Sequence, residues 1–173
     1  MNIKYEDKKL RVISIIPGTT VDGPGLRTSI YFAGCKHQCP HCHNPETWDF
    51  NAGKDWEIRD IMEVIKQNNF DVTFSGGDPI YQDITSLSEL SKEIHSFGKK
   101  IWLYTGFVIE ELIDNEKYKD ILSNVDVIVD GPFIMAKKNI DILFRGSTNQ
   151  RILHKNLSGQ WEIWEKYNNV ILS

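Results

Sequence analysis

Four short segments rich in β-branched and aromatic residues begin near Thr28, Asp71, Lys100 and Val125, and a helical pattern fills each gap between them. Strand–helix–strand alternation at this spacing demands parallel strands joined by right-handed crossovers. Four such strands are too few for a closed eight-stranded barrel, and 173 residues is short for one. The expected fold is therefore α/β: an open, partial (β/α) barrel with mostly parallel strands, in one domain spanning 1–173.

The elements read as follows. Leu10–Ile16 is a strand, Pro17–Gly25 a loop and Thr28–Phe32 a strand, and Cys35 to Asn51 is irregular, with Pro40 and Pro45 excluding a helix. Asp55–Asn68 is helical, with Ile58, Ile61, Met62 and Ile65 on one face. Asp71–Phe74 is a strand, Asp83 caps a helix through Phe97, and Gly98 stops it. Lys100–Tyr104 is a strand, Ile109–Leu122 a helix, Val125–Val129 a strand and Arg151–Leu153 a further strand. The Trp-rich end, Trp161–Leu172, has no clear pattern.

In parallel α/β folds ligands sit beyond the carboxyl ends of the strands. The unusual segments Gly34–Cys42, Ser75–Pro79, Thr105–Gly106 and Asp130–Pro132 all fall there, which implies one site. A net charge of −4 provides no broad basic field for nucleic acid. No apolar run is long enough for a transmembrane helix, and Met1 to Lys9 has no signal-peptide pattern, so a cytoplasmic protein is expected. Three cysteines make no disulfide framework, and in a reducing compartment clustered thiols point to metal binding or catalysis.

Those cysteines are Cys35, Cys39 and Cys42, spaced Cys-x3-Cys-x2-Cys. Thiolates are the ligands of iron–sulfur clusters. Three of them bind three irons of a four-iron cube and leave the fourth open, and no other cysteine exists to close it. A zinc site of Cys3His type is the competing reading, because His37, His41 and His43 share the loop.

Cys-x3-Cys-x2-Cys resembles the motif of the radical S-adenosylmethionine (SAM) superfamily, in which a flat residue before the last cysteine, here His41, packs on the SAM adenine. Asp22-Gly-Pro-Gly-Leu-Arg27, Phe32-Ala-Gly-Cys35 and Cys42-His-Asn-Pro-Glu-Thr-Trp48 resemble the glycyl-radical-enzyme activating proteins. Ser75-Gly-Gly-Asp-Pro79, Trp102-Leu-Tyr-Thr-Gly106, Val129-Asp-Gly-Pro-Phe133 and Phe144-Arg-Gly-Ser-Thr-Asn-Gln-Arg151 resemble, within that group, the activators of anaerobic (class III) ribonucleotide reductase.

The resemblance implies a [4Fe–4S] cluster on the three cysteines and SAM held by His41, Ser75, Gly76, Gly77, Asp78, Thr105 and Asp130. It implies that Asp22, Gly23, Gly25, Arg27, Arg145, Asn149 and Gln150 meet the partner or substrate. SAM would chelate the open iron, and one electron from the cluster would release methionine and a 5′-deoxyadenosyl radical. That radical would take a hydrogen from a glycine of the reductase, with electrons from a low-potential donor such as flavodoxin or ferredoxin. No residue acts as a catalytic acid or base in this scheme. An activator of another glycyl radical enzyme such as pyruvate formate-lyase, a small-molecule radical SAM enzyme and a non-catalytic zinc-binding module are the alternatives.

Overall fold

The computed structural model describes residues 8–169, so most of the polar start and the last residues of the Trp-rich end lie outside the described residues. Within them eight strands form one sheet in the order β3-β1-β2-β4-β5-β6-β7-β8. The strands are β1 (Lys9–Thr19), β2 (Arg27–Phe32), β3 (Lys54–Glu57), β4 (Asp71–Gly76), β5 (Ile101–Tyr104), β6 (Val127–Asp130), β7 (Arg151–Lys155) and β8 (Trp161–Ile163). The four strands expected to run parallel are β2, β4, β5 and β6, and they pair in parallel. Both flanks are antiparallel: β1 with β2 and β3, and β7 with β6 and β8. The sheet is therefore mixed, with a parallel centre, rather than mostly parallel.

Two helical expectations change. The stretch expected to open the first helix at Asp55 is instead β3, because Lys54–Glu57 pairs with Lys9–Val12 along the sheet edge. The helix α1 (Ile58–Asn68) begins where the apolar period begins and buries Ile58, Ile61, Met62 and Ile65. The single helix expected over Ile109–Leu122 is two, α3 (Ile109–Ile113) and α4 (Lys119–Asn124). Asn115 breaks it by turning its side-chain oxygen onto the Lys117 amide, a local alternative to the helical bond. The helix α2 (Ile84–Ser96) starts as expected, with Asp83 accepting from the Ser86 amide at 2.8 Å. The Trp-rich end forms β8 and a short α5 (Glu165–Asn168).

The two faces of the sheet differ because side chains alternate along each strand. One face presents Ile30, Phe32, Val72, Phe74, Ile101, Leu103 and Ile128 to an aliphatic core shared with α1, α2, α3 and α4. The other presents Trp102, Val127, Val129 and Ile152, packed by Tyr104, Phe144, Trp164 and Tyr167. Residues 20–26 fold back over this second face, where the Asp22 carbonyl accepts from Thr73 Oγ1 at 2.8 Å. Among the described residues no helix is long and apolar enough to cross a membrane.

Candidate metal centre and cofactor site

The cysteine loop leaves the carboxyl end of β2 and is fastened on both sides by backbone. Gly34 and Cys35 amides donate to the Thr47 and Trp48 carbonyls at 2.8 and 3.2 Å. On the other side, Gly77 donates to the Phe32 carbonyl at 2.9 Å and Asp78 to that of Gly34 at 3.0 Å. The approach is so close that a Cβ on Gly77 would fall 2.5 Å from the Gly34 oxygen, and one on Gly76 2.4 Å from the Phe32 nitrogen. Only glycine satisfies both contacts. The Ser75–Gly77 turn and the cysteine loop are thus one backbone unit, although more than thirty residues separate them.

One cavity opens above this unit. Cys35, Cys39 and Cys42 line one side of it together with His43 and Trp48, and Ser75, Gly76 and Gly77 contribute backbone. Tyr104, Thr105 and Gly106 from the end of β5 line it too, as do Gly131, Phe133 and Gln150 beyond β6. Asp22 reaches the same cavity from the folded-back loop, its carboxylate accepting from the Tyr31 hydroxyl. Four strand ends therefore contribute to one site.

Cys35 is buried, while Cys39 and Cys42 are half-buried, and none is in a disulfide. Burial pushes the Cys35 thiol up, offset in part by backbone N–H groups of His37 and Gln38. A buried thiolate of this kind needs a cation to hold it deprotonated. The Asn44 amide points at Cys42 Sγ, 3.4 Å away. Among the described residues no three His, Cys, Asp or Glu side chains converge on a point that would hold one metal ion. In an iron–sulfur cube each thiolate meets a different iron, and the three cysteines line one cavity. The donor set is all sulfur, which fits the same group.

Two acidic residues expected against SAM are occupied elsewhere. Asp78 is fully buried, and its Oδ2 accepts from Thr105 Oγ1 (2.9 Å) and the Gly106 amide (2.9 Å), with His37 Nε2 at 3.0 Å. Its Oδ1 accepts from the Ile80 amide. Asp78 thus ties three site segments together from behind the cavity, and Thr105 spends its hydroxyl on that tie. Asp130 is equally buried and lies under Arg151, whose Nε donates to Oδ1 at 3.0 Å and whose Nη2 donates to Oδ2. The Ile109 amide also donates to Asp130, and the rest of the Arg151 guanidinium reaches Glu110.

The structure places the other expected residues as follows. His41 and His43 are both exposed; His43 lines the cavity, its ring 5.2 Å from Phe133, and His41, with a left-handed φ of 60°, does not. Arg27, expected to meet a partner, is 2% exposed. Its Nε donates to Thr73 Oγ1 at 2.7 Å and its Nη2 to the Val72 carbonyl at 2.6 Å, and the guanidinium lies 5.5 Å from the Trp102 ring. Burial pulls its pKa down. Arg145 faces the chain end, donating to the Tyr167 and Asn168 carbonyls and to Asn168 Oδ1. Asn149 donates to the Pro132 carbonyl. Gln150 accepts from Gly146 and Ser147 amides and donates to the Gly131 carbonyl. Within the folded-back loop Gly23 is buried against the Arg27 and Trp102 side chains, and Gly25 is exposed.

The cavity also contains residues not expected against SAM or the partner: Trp48, Tyr104 and Phe133, with His37 and His43, which the sequence offered only as zinc ligands. His43, Trp48, Tyr104 and Phe133 belong to motifs already marked, and strand alternation puts Tyr104 on the same face as Ser75. His37 lies between the cysteines, and nothing in the sequence marked its contact with Asp78.

Residues 21–153 match the family model of the 4Fe-4S single cluster domain. The anaerobic ribonucleoside-triphosphate reductase-activating protein of Salmonella typhi is 33% identical over 154 residues, covering 84% of this chain and 99% of its own. That of Escherichia coli is 34% identical over 149 residues, covering 80% and 94%. That of Enterobacteria phage T4 is 36% identical over 157 residues, covering 86% and 96%. Among solved structures, QueE from Escherichia coli shares the fold at a TM-score of 0.50 and 16% identity, over 59% of this chain and 54% of that one. A chain with three cysteines around one cavity, matched along most of its length by these proteins, belongs to the family of anaerobic ribonucleoside-triphosphate reductase-activating proteins, built on a 4Fe-4S single cluster domain.

Proposed function

We propose that this chain is a radical SAM activase that installs a glycyl radical on anaerobic ribonucleoside-triphosphate reductase. The observation that carries the reading is the cavity in which Cys35, Cys39 and Cys42 stand beside the Ser75–Gly77 backbone. Cluster and SAM, when bound, supply the one-electron chemistry that the side chains alone lack. The cysteine thiolates hold the cluster. The open backbone at Ser75–Gly77 offers hydrogen bonds to the amino-acid end of SAM, with no side chain in the way. The His43–Phe133 pair supplies the flat surface for adenine, in place of His41. Asp78 and Asp130 act behind the wall, holding Thr105, Gly106 and the start of α3 in register.

The sheet is read as the partial barrel of a radical SAM domain covering 1–173, supported by its parallel centre and a cavity at the carboxyl ends. The partner surface is read at the cavity mouth. Val21 and Leu26 are 68% and 51% exposed on the loop that carries Asp22, and Met135 is 45% exposed two residues beyond Phe133. Exposed apolar residues beside a site suit a protein partner. A covering protein loop would also keep water out of the cavity. A low-potential flavodoxin or ferredoxin serves as electron donor, and the free thiols fit the reducing cytoplasm.

Anaerobic reconstitution with iron and sulfide, then SAM and dithionite, tests this directly. We expect 5′-deoxyadenosine release and a glycyl-radical doublet on the reductase by electron paramagnetic resonance. A doublet on pyruvate formate-lyase and none on the reductase would overturn the assigned partner.

A further inference from the structure

Gly34 and Cys35 are pinned by backbone, but the stretch that carries Cys39 and Cys42 is not. The Cys42 amide donates to the Cys39 carbonyl, and the Cys42 sulfur accepts from the Asn44 amide, both within the loop. Among the described residues, one hydrogen bond joins residues 36–42 to a segment outside the loop: His37 Nε2 with Asp78 Oδ2 at 3.0 Å. A carboxylate only accepts, so Nε2 carries the hydrogen. Cys35 and Cys39 each lie two residues from this anchor.

Both ends of this bond are built in. Asp78 is 0% exposed, and a buried carboxylate is tolerated only where hydrogen bonds replace water. Its other donors, Thr105 Oγ1 and the amides of Gly106 and Ile80, all come from outside the cysteine loop. The His37 ring has a fitted seat, edge-on to Phe107 with centroids 4.7 Å apart and 5.4 Å from Tyr81. A Cβ on Gly106 would stand 2.5 Å from His37 Cδ2, so glycine at 106 admits the ring. Asp78 directly follows Gly77, so its carboxylate joins the cysteine loop to the Ser75–Gly77 turn and to the end of β5.

We propose that His37 is a positioning residue: its Nε2–H on Asp78 sets the cysteine loop in register with the Ser75–Gly77 turn, and so sets the cluster against SAM. The inference rests on the cluster and SAM reading above. The cysteines hold the cluster whether or not this strut is present. What the strut fixes is the offset between the sulfur side of the cavity and the wall that receives SAM. An offset of about 1 Å between reacting groups can cost on the order of a hundredfold in rate.

The test compares His37→Phe, which keeps a flat ring and loses the donor, with His37→Gln, which returns an Nε2–H donor without the ring. Each chain is reconstituted anaerobically, iron and sulfide are counted, and SAM binding to the oxidised cluster is measured by calorimetry without turnover. His37→Phe is expected to load like the wild type and to bind SAM about tenfold more weakly. His37→Gln is expected to restore the wild-type affinity. A loaded His37→Phe chain with unchanged SAM affinity overturns the proposal. So does a His37→Gln chain as weak as His37→Phe, since ring packing would then be the whole effect. If His37→Phe takes up no cluster, His37→Gln decides: loading with wild-type SAM affinity supports the proposal, and failure to load or weak SAM binding overturns it. A wild-type chain that takes up no iron and sulfide, or takes them up and binds no SAM, would sink the cluster and SAM reading itself.

Discussion

On the face of the sheet under α1 and α2, β2 and β4 present Ile30, Phe32, Val72 and Phe74, each fully buried. On the opposite face the residues between them are Arg27, Ser29, Tyr31, Thr73 and Ser75. The first face is held by area and fit: Phe32 and Phe74 meet edge to face with ring centroids 5.4 Å apart. The second is held by donors and acceptors that must find one another, as Arg27, Thr73 and the Asp22 carbonyl do in sequence. One face tolerates exchange of shapes and tells nothing of chemistry. The other has less slack, because Arg27, Tyr31 and Thr73 each hold a neighbour and Ser75 lines the cavity.

That contrast can be broken by experiment. Cys39→Ala should have the largest functional effect with almost none on the fold, since Cys39 is half-buried in a loop. Iron content and 5′-deoxyadenosine release should fall to background while the urea midpoint of the apoprotein stays in place. Phe74→Ala should do the reverse, costing roughly 3–5 kcal/mol in urea unfolding while the folded fraction still binds iron. Arg27→Met probes whether the polar face also supports the fold. It strips partners from Thr73 Oγ1 and the Val72 carbonyl, and should cost roughly 2–3 kcal/mol. A change within error would make Arg27 a bystander.

Gly77→Ala sharpens the boundary between the faces. Its new methyl meets the Gly34 and Thr47 carbonyls, so SAM affinity measured by calorimetry should weaken on the order of tenfold, about 1.4 kcal/mol. The smallest effect belongs to Glu110→Gln. Arg151 hydrogen bonds hold the Glu110 carboxyl below its ordinary value. A lowered pKa stabilises the fold above the unfolded value, here 4.5, and the gain disappears as pH falls through the folded value. The variant should therefore flatten the acid limb of stability below pH 4.5, by less than about 1 kcal/mol because the pair is exposed. An unchanged limb would leave Asp130 alone as the group that orients Arg151.

The central strands, the Asp83 cap and the cysteine spacing were all legible in the sequence because each is a local pattern. The apolar alternation through Ile30, Phe32, Val72 and Phe74 needs no knowledge of partners. What failed was non-local. Lys54–Glu57 became a strand because β1 offered an unpaired edge. His41 is expected at the adenine by its place in a motif, while His43, two residues on, is the histidine that lines the cavity beside Phe133, and only the fold shows that.

The sequence by itself determined the donor chemistry: three thiolates in eight residues, glycines where backbones must touch, and strands whose carboxyl ends converge. Tertiary structure alone decided which polar residues face the cavity and which stand behind it. Arg27 is satisfied 46 residues away at Thr73, Asp78 27 residues away at Thr105, and Asp130 21 residues away at Arg151. A buried charge goes wherever its desolvation is compensated, and that partner is chosen by the fold rather than by neighbours along the chain.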